Sequence, residues 1–232
     1  MKVVITGAAG ILGAAVARAF LSSGASLALM DRAAASQDPL KGVVGKGAAG
    51  AHVFLEGVDL TDLAQARRAM DTAASKLGGI DVLVNIAGGF RWETVADGGL
   101  ETWDFLYAIN LKTALCACKA ALSYLPADNG RIVNVGAASA AKAGTGMGAY
   151  TASKAGVAKL TEALAEELKD KGINVNAVLP TIIDTPANRG DMPKADFTRW
   201  VAPQALADVI VFLSSHAARA ITGASILVSG RI

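Results

Sequence analysis

The chain has 232 residues, 53% of them hydrophobic and 18% charged, with a formal net charge of +2. That length suits a single α/β sheet with a full core, which needs neither disulfides nor metals to hold it together. Lys and Arg are scattered without a basic stripe, and no apolar run reaches membrane-spanning length, so neither nucleic acid nor membrane is an expected partner.

Taken in chain order, the sequence opens on Val3-Val4-Ile5 directly after Met1-Lys2. That reads as a buried strand and not as a signal peptide, and the expected location is the cytoplasm. Short runs rich in Val, Ile and Leu then alternate with amphipathic stretches. Strands are predicted at 3–6, 26–31, 52–58, 82–86, 131–135, 174–179 and 225–228. Helices are predicted at 11–23, 62–77, 100–125, 150–171 and 203–214. The strands are apolar on both faces, as strands covered by helices on two sides must be. Alternating strand and helix implies right-handed crossovers. The predicted fold is therefore a Rossmann-type, doubly wound parallel α/β sheet of about seven strands, with helices on both faces and a single domain over 1–232. Two stretches break the alternation. Residues 33–50, rich in Ala and Gly, read as a surface connection. Residues 181–202, with Pro186, Pro193, Phe197 and Trp200, read as a functional segment. Cys116 and Cys118 point in different directions on a helix and read as small buried thiols. His52 and His216 are too few for a histidine metal site, and no metal is expected.

The first strand runs into Thr6-Gly7-Ala8-Ala9-Gly10-Ile11-Leu12-Gly13, and a helix follows. Gly7 allows a tight turn, Gly10 lets main chain approach a pyrophosphate, and Gly13 lets helix pack closely on strand. The helix N-terminus offers N–H groups and a positive dipole end to the anion. Asp31 ends the second strand, 18 residues after Gly13. A carboxylate there accepts from ribose hydroxyls and repels an added 2′-phosphate, so NAD(H) is the preferred cofactor, with Arg32 leaving NADP(H) open. Further along, Tyr150 and Lys154 stand at i and i+4 on one helix face. A tyrosine titrates near pH ~10, and a neighbouring ammonium is expected to lower that value toward neutrality. Such a phenol serves as a proton donor or acceptor.

Together with Asp59-Leu60, Asn85-Ile86-Ala87-Gly88, Asn110 and 180–185, these pieces resemble the short-chain dehydrogenase/reductase family over essentially the whole chain. The resemblance implies Tyr150, Lys154 and Asn110 as catalytic residues, with Asn110 holding a water that relays protons to Lys154. It implies a cofactor site of Gly7, Ala9, Gly10, Ile11, Leu12, Asp31, Arg32, Asp59, Leu60, Asn85, Ala87, Gly88, Tyr150, Lys154, Pro180, Ile183 and Thr185. It also implies a homodimer or homotetramer paired through the 100–125 and 150–171 helices.

Three features depart from the family pattern. The middle glycine is at 10 where most members have it one residue later. The position thirteen residues before Tyr150, normally serine, is Ala137, with Ser139 two residues on. The last strand ends Val228-Ser229-Gly230-Arg231-Ile232 instead of in Asp-Gly-Gly. These departures, with Met147, Ala87-Gly88-Gly89-Phe90 and the run from Val178 through Trp200, are similar to the dihydropteridine reductase branch of the family. That likeness implies an NADH-dependent reductase of a small conjugated substrate such as a pterin. The runner-up is a carbonyl or alcohol oxidoreductase with Ser139 in the serine's role. A third reading is an NAD(H) sensor without chemistry, against which the retained Tyr150, Lys154 and Asn110 count. Within 181–202 a substrate lid is expected, with Met192, Phe197 and Trp200 facing a flat ligand.

Overall fold

The computed structural model describes residues 1–41 and 52–232. Among these, seven parallel strands form one sheet: β1 (Lys2–Thr6), β2 (Ser26–Met30), β3 (His52–Leu55), β4 (Val82–Asn85), β5 (Arg131–Val135), β6 (Asn174–Pro180) and β7 (Ser225–Val228). Their spatial order is β3-β2-β1-β4-β5-β6-β7. The chain builds outward from β1 to β3, then returns to β4 on the other side of β1. That reversal leaves a crevice above the carboxyl ends of β1 and β4, where open α/β sheets gather their ligands. The third strand stops at Leu55, short of the expected 58, because Gly57 takes a left-handed φ of +66° that the pleat cannot continue.

Alternation along β1 separates the two layers. Val3 and Ile5 face α1 (Ile11–Ser22) and α7 (Pro203–Leu213), meeting Val16, Phe20, Leu206 and Ile210. Val4 faces the opposite layer of α2 (Leu63–Leu77), α4 (Thr113–Ala121) and α5 (Gly148–Leu168), with Met70, Ala117 and Leu164. Both sets are essentially solvent-free. Cys116 and Cys118 are buried in the second layer, and burial pushes the Cys118 thiol up to about 12.

The predicted helix over 100–125 is not continuous. It comprises α3 (Leu100–Leu106), a π-helical stretch Tyr107–Lys112, and α4. The widened turn contains Asn110, whose side chain is bonded to other elements. The predicted 150–171 helix starts two residues earlier, at Gly148, and its last residues, Lys169–Lys171, form a 3₁₀ turn ended by Gly172 at φ +63°. The 181–202 segment holds more regular structure than its sequence indicates: a short helix, α6 (Pro186–Asp191), a 3₁₀ turn Phe197–Arg199, and a bridge pairing Ile183 with Val201. Of the 33–50 connection, Ala35–Gln37 form a 3₁₀ turn, and 42–50 lie outside the described residues. Among the described residues no helix is long and apolar enough to cross a membrane.

Candidate active site

The turn after β1 is shaped by what glycine omits. Gly7 sits at φ +65°, and a Cβ there would lie 2.7 Å from the Ala87 nitrogen. A Cβ on Gly13 would strike the Gly7 carbonyl and the Ala8 main chain. Close approach therefore fixes both positions. The Thr6 hydroxyl accepts from the N–H groups of Ile86 (3.1 Å) and Ala87 (3.2 Å), tying the end of β1 to the end of β4. Among the described residues no side chain caps α1. Its first-turn N–H groups open onto a cleft of about 920 Å³.

Twelve of the residues anticipated for the cofactor line this cleft: Gly7, Ala9, Gly10, Ile11, Leu12, Asp31, Arg32, Asp59, Leu60, Ala87, Gly88 and Thr185. Asp31 accepts from the Ala9 N–H (2.9 Å) and the Ala33 N–H (3.0 Å), which holds its carboxylate at the rim. Asp59 accepts from both the hydroxyl (2.7 Å) and the N–H (2.9 Å) of Thr61, and these bonds hold its carboxyl below the usual range. A helix N-terminus, a bracketed carboxylate and a long groove along the sheet's carboxyl edge fit a dinucleotide.

Several lining residues escaped the sequence reading: Met30, Gln37, Val58, Phe105, Ile109 and Thr113. Thr113 stands one helical turn after Asn110, a spacing that marks it in retrospect. Gln37 lies in a stretch with no periodic signal.

Five anticipated cofactor residues do not line the cleft: Asn85, Pro180, Ile183, and the pair Tyr150 and Lys154 on α5. Asn85 is buried on the far face of the sheet, its amide donating to Asn134 Oδ1 (2.9 Å) and Cys118 Sγ (3.2 Å). Its position in β4 turns it away from the crevice. Pro180 is buried at the end of β6. Ile183 packs against the core from its bridge with Val201.

Of the anticipated catalytic residues, Asn110 and Lys154 converge on Gly88, while the Tyr150 ring meets Phe90. Asn110 accepts from the Gly89 N–H (2.9 Å), and its amide donates to the Gly89 carbonyl (3.1 Å) and the Ser153 hydroxyl (3.0 Å). Asn110 and Lys154 both crowd Gly88: a Cβ there would lie 2.5 Å from Asn110 Oδ1 and 3.4 Å from Lys154 Nζ. Lys154 itself is 6% exposed, and its ammonium donates to the Val135 carbonyl at 2.9 Å. Burial pulls it down to about 8. Tyr150 moves opposite to the sequence expectation, since burial pushes its phenol up to about 12. The ammonium is spent on a main-chain carbonyl, so loss of water, not a neighbouring charge, decides the state of the phenol. A phenol so held keeps its proton at neutral pH and is an acid toward anything bound beside it.

Above Tyr150, the Phe90 ring stands edge-on at 5.0 Å. Ala137 is buried, while Ser139 lies in a 3₁₀ turn Ala138–Ala141 and its hydroxyl makes no hydrogen bond among the described residues. In the 181–202 segment, Thr185 caps α6 by accepting from the Asn188 N–H (3.2 Å), while Thr185, Pro186 and Ala187 touch the cleft. The aromatics expected to face a ligand serve the segment itself. Trp200 is 7% exposed, the Phe197 ring packs tilted against it at 4.8 Å, and Arg189 lies over Phe197 while gripping Asp184 with two bonds.

Comparison with known proteins agrees with this geometry. Residues 1–196 match the family model described as short chain dehydrogenase. The chain is 36% identical to D-threitol dehydrogenase of Mycolicibacterium smegmatis over 97% of its own length and 90% of that protein's. It is 32% identical to meso-2,3-butanediol dehydrogenase of Serratia marcescens, over 98% and 92%. Among solved structures, a short chain dehydrogenase from Burkholderia cenocepacia in complex with NADP superposes with a TM-score of 0.90 at 30% identity, covering 99% of this chain and 96% of that one.

Proposed function

From the premise that the chain belongs to the short-chain dehydrogenase family and is an NAD(P)-dependent oxidoreductase, we propose that it is an NADH-dependent reductase with Tyr150 as its proton donor. The observation that carries this reading is a half-buried phenol that loss of water keeps protonated, one helical turn before the buried Lys154, which stands with Asn110 against Gly88 in the wall of the cleft. Bound NADH supplies the hydride. Gly7, Ala9, Gly10 and the first turn of α1 would hold its pyrophosphate, Asp31 its adenosine ribose, and Asp59 and Leu60 the adenine. Lys154 holds its charge near neutral pH, and its donors not bonded to Val135 would turn to the nicotinamide ribose. Asn110 orders the main chain at Gly89 and steadies Lys154 through Gly88. As the substrate gains hydride at carbon, Tyr150 gives its proton to the adjoining heteroatom.

Ala137 brings no hydroxyl to polarise an isolated ketone, which favours an acceptor already activated by conjugation, a dihydropterin among them. The second reading, a secondary alcohol or diol, is favoured by likeness to the threitol and butanediol enzymes and by the unengaged Ser139 hydroxyl. NADH consumption with quinonoid dihydropterin against a panel of ketones and diols separates the two. Turnover confined to the aliphatic panel, and lost in Ser139→Ala, overturns the conjugated reading.

We also infer a cytoplasmic homodimer or homotetramer. Leu100 (79% exposed), Trp103 and Tyr107 present apolar surface along the α3 side, and Phe212 and Leu227 do so near the β7 edge. Light scattering at micromolar concentration tests it, and a monomer overturns it.

A further inference from the structure

Residues 86–99 connect β4 to α3 and carry two large aromatics that stay in solvent: Phe90 is 54% exposed and Trp92 58%. Neither closes the core, yet both are held. Phe90 meets the Tyr150 ring edge-on, at 82° between planes. The Trp92 indole N–H donates to the Thr145 carbonyl at 2.9 Å, and the indole lies on Gly146, where any Cβ would collide with it. Gly146 sits at φ +72°, and its carbonyl accepts from the Glu93 N–H at 2.9 Å. The two loops are thus zipped together directly before the helix that carries Tyr150. Arg91, between the two aromatics, is bound elsewhere: it lies over the Phe105 ring at 4.4 Å and donates to Thr102.

Fixing a half-exposed indole costs rotamer freedom and recovers little burial on its own. With Phe90 against the Tyr150 ring and Trp92 two residues on, fixed before the helix that carries Tyr150, a ligand at the phenol is what would bury these faces. We propose that Phe90 and Trp92 form an aromatic wall that selects flat, conjugated substrates at Tyr150, a reading that rests on Tyr150 being the proton donor. The indole N–H is already engaged by Thr145, so the wall offers area and π-faces but no donor. A planar ring system stacks on such a surface. A polyol brought against it loses water from its hydroxyls and finds no partner in return.

The test uses 1-tetralone, a flat bicyclic ketone, and acetoin, a small hydroxyketone, with NADH. Trp92→Ala is expected to raise KM for 1-tetralone about tenfold, with kcat and the acetoin reaction unchanged, and Trp92→Phe to recover most of the loss. An equal loss on both ketones, or none on either, overturns the wall. If the unmutated enzyme reduces neither ketone, these probes lie outside its substrate range and the dihydropterin assay decides the reductase reading. The wall is then judged by binding: 1-tetralone titrated into the NAD⁺ complex should quench tryptophan fluorescence in the parent and not in Trp92→Phe. Absence of quenching in the parent overturns it.

Discussion

At the Gly7–Gly13 end of the cleft, the molecule works with main chain. The turn is set by two close approaches and a left-handed φ, the groups proposed to hold the pyrophosphate are N–H groups of a helix end, and the rim carboxylate of Asp31 is itself braced by backbone. Beyond Gly88 and Gly89, toward Tyr150, it works with side chains. Phe90 and Trp92 stand on a connection, Tyr150 and Lys154 on the first turns of α5, and the titration of both is displaced by burial. On the proposed reading, main chain would recognise what every dinucleotide shares, and side chains would decide which molecule reacts and in what protonation state. A substitution at the first end should thus act through fit, and one at the second through chemistry.

The sharpest test of that division is Tyr150→Phe, which removes one hydroxyl. Turnover should fall by about 10²–10⁴-fold, the usual worth of a positioned proton donor, while NADH affinity by fluorescence titration stays at the parent value. Weakened NADH binding would blur the two ends into one. Gly13→Val breaks the other end. Its side chain must displace the Gly7 carbonyl, costing about 1–3 kcal/mol of stability by denaturant titration, and NADH binding should be lost with it.

Lys154→Met separates chemistry from stability. The folded-state value near 8 lies below the ordinary 10.5, so charging Lys154 in the fold is penalised in full below pH 8. The penalty fades as pH rises toward 10.5. At pH 7 the variant should therefore be more stable than the parent by about 2 kcal/mol, the relief of desolvation less the hydrogen bond lost to Val135. Urea midpoints should converge between pH 8 and 10.5, and activity should be low throughout. Smallest is Asp31→Ser, which should narrow the preference for NADH over NADPH by about tenfold, or 1.4 kcal/mol. An unchanged ratio would remove Asp31 from the choice of cofactor.

The strands were legible because Val, Ile and Leu on both faces of a short run leave few alternatives, and the glycine turn because its spacing follows from where backbones touch. Tyr150 and Lys154 were legible as a pair, but the titration of the phenol was not. That depends on the Val135 carbonyl, nineteen positions from Lys154, and on how much water the fold removes. Asn85 was drawn toward the cofactor by its neighbours Ala87 and Gly88, although strand alternation turns it to the opposite layer. Trp200 and Trp92 look alike in sequence. Only packing shows that the first anchors a segment and the second faces solvent.

The π-helical stretch Tyr107–Lys112 has a consequence for how this chain can change length. A π-turn holds one residue more than a regular helix would use. Deleting a residue there would restore α-helical bonding from α3 into α4. It would also rotate Asn110 off Gly89 and Ser153, and with them the support beneath Gly88 and Lys154. The surplus residue is thus worth more to the site than to the helix. Homologues that lack it should be sought among proteins that keep the sheet and have abandoned the proposed proton transfer.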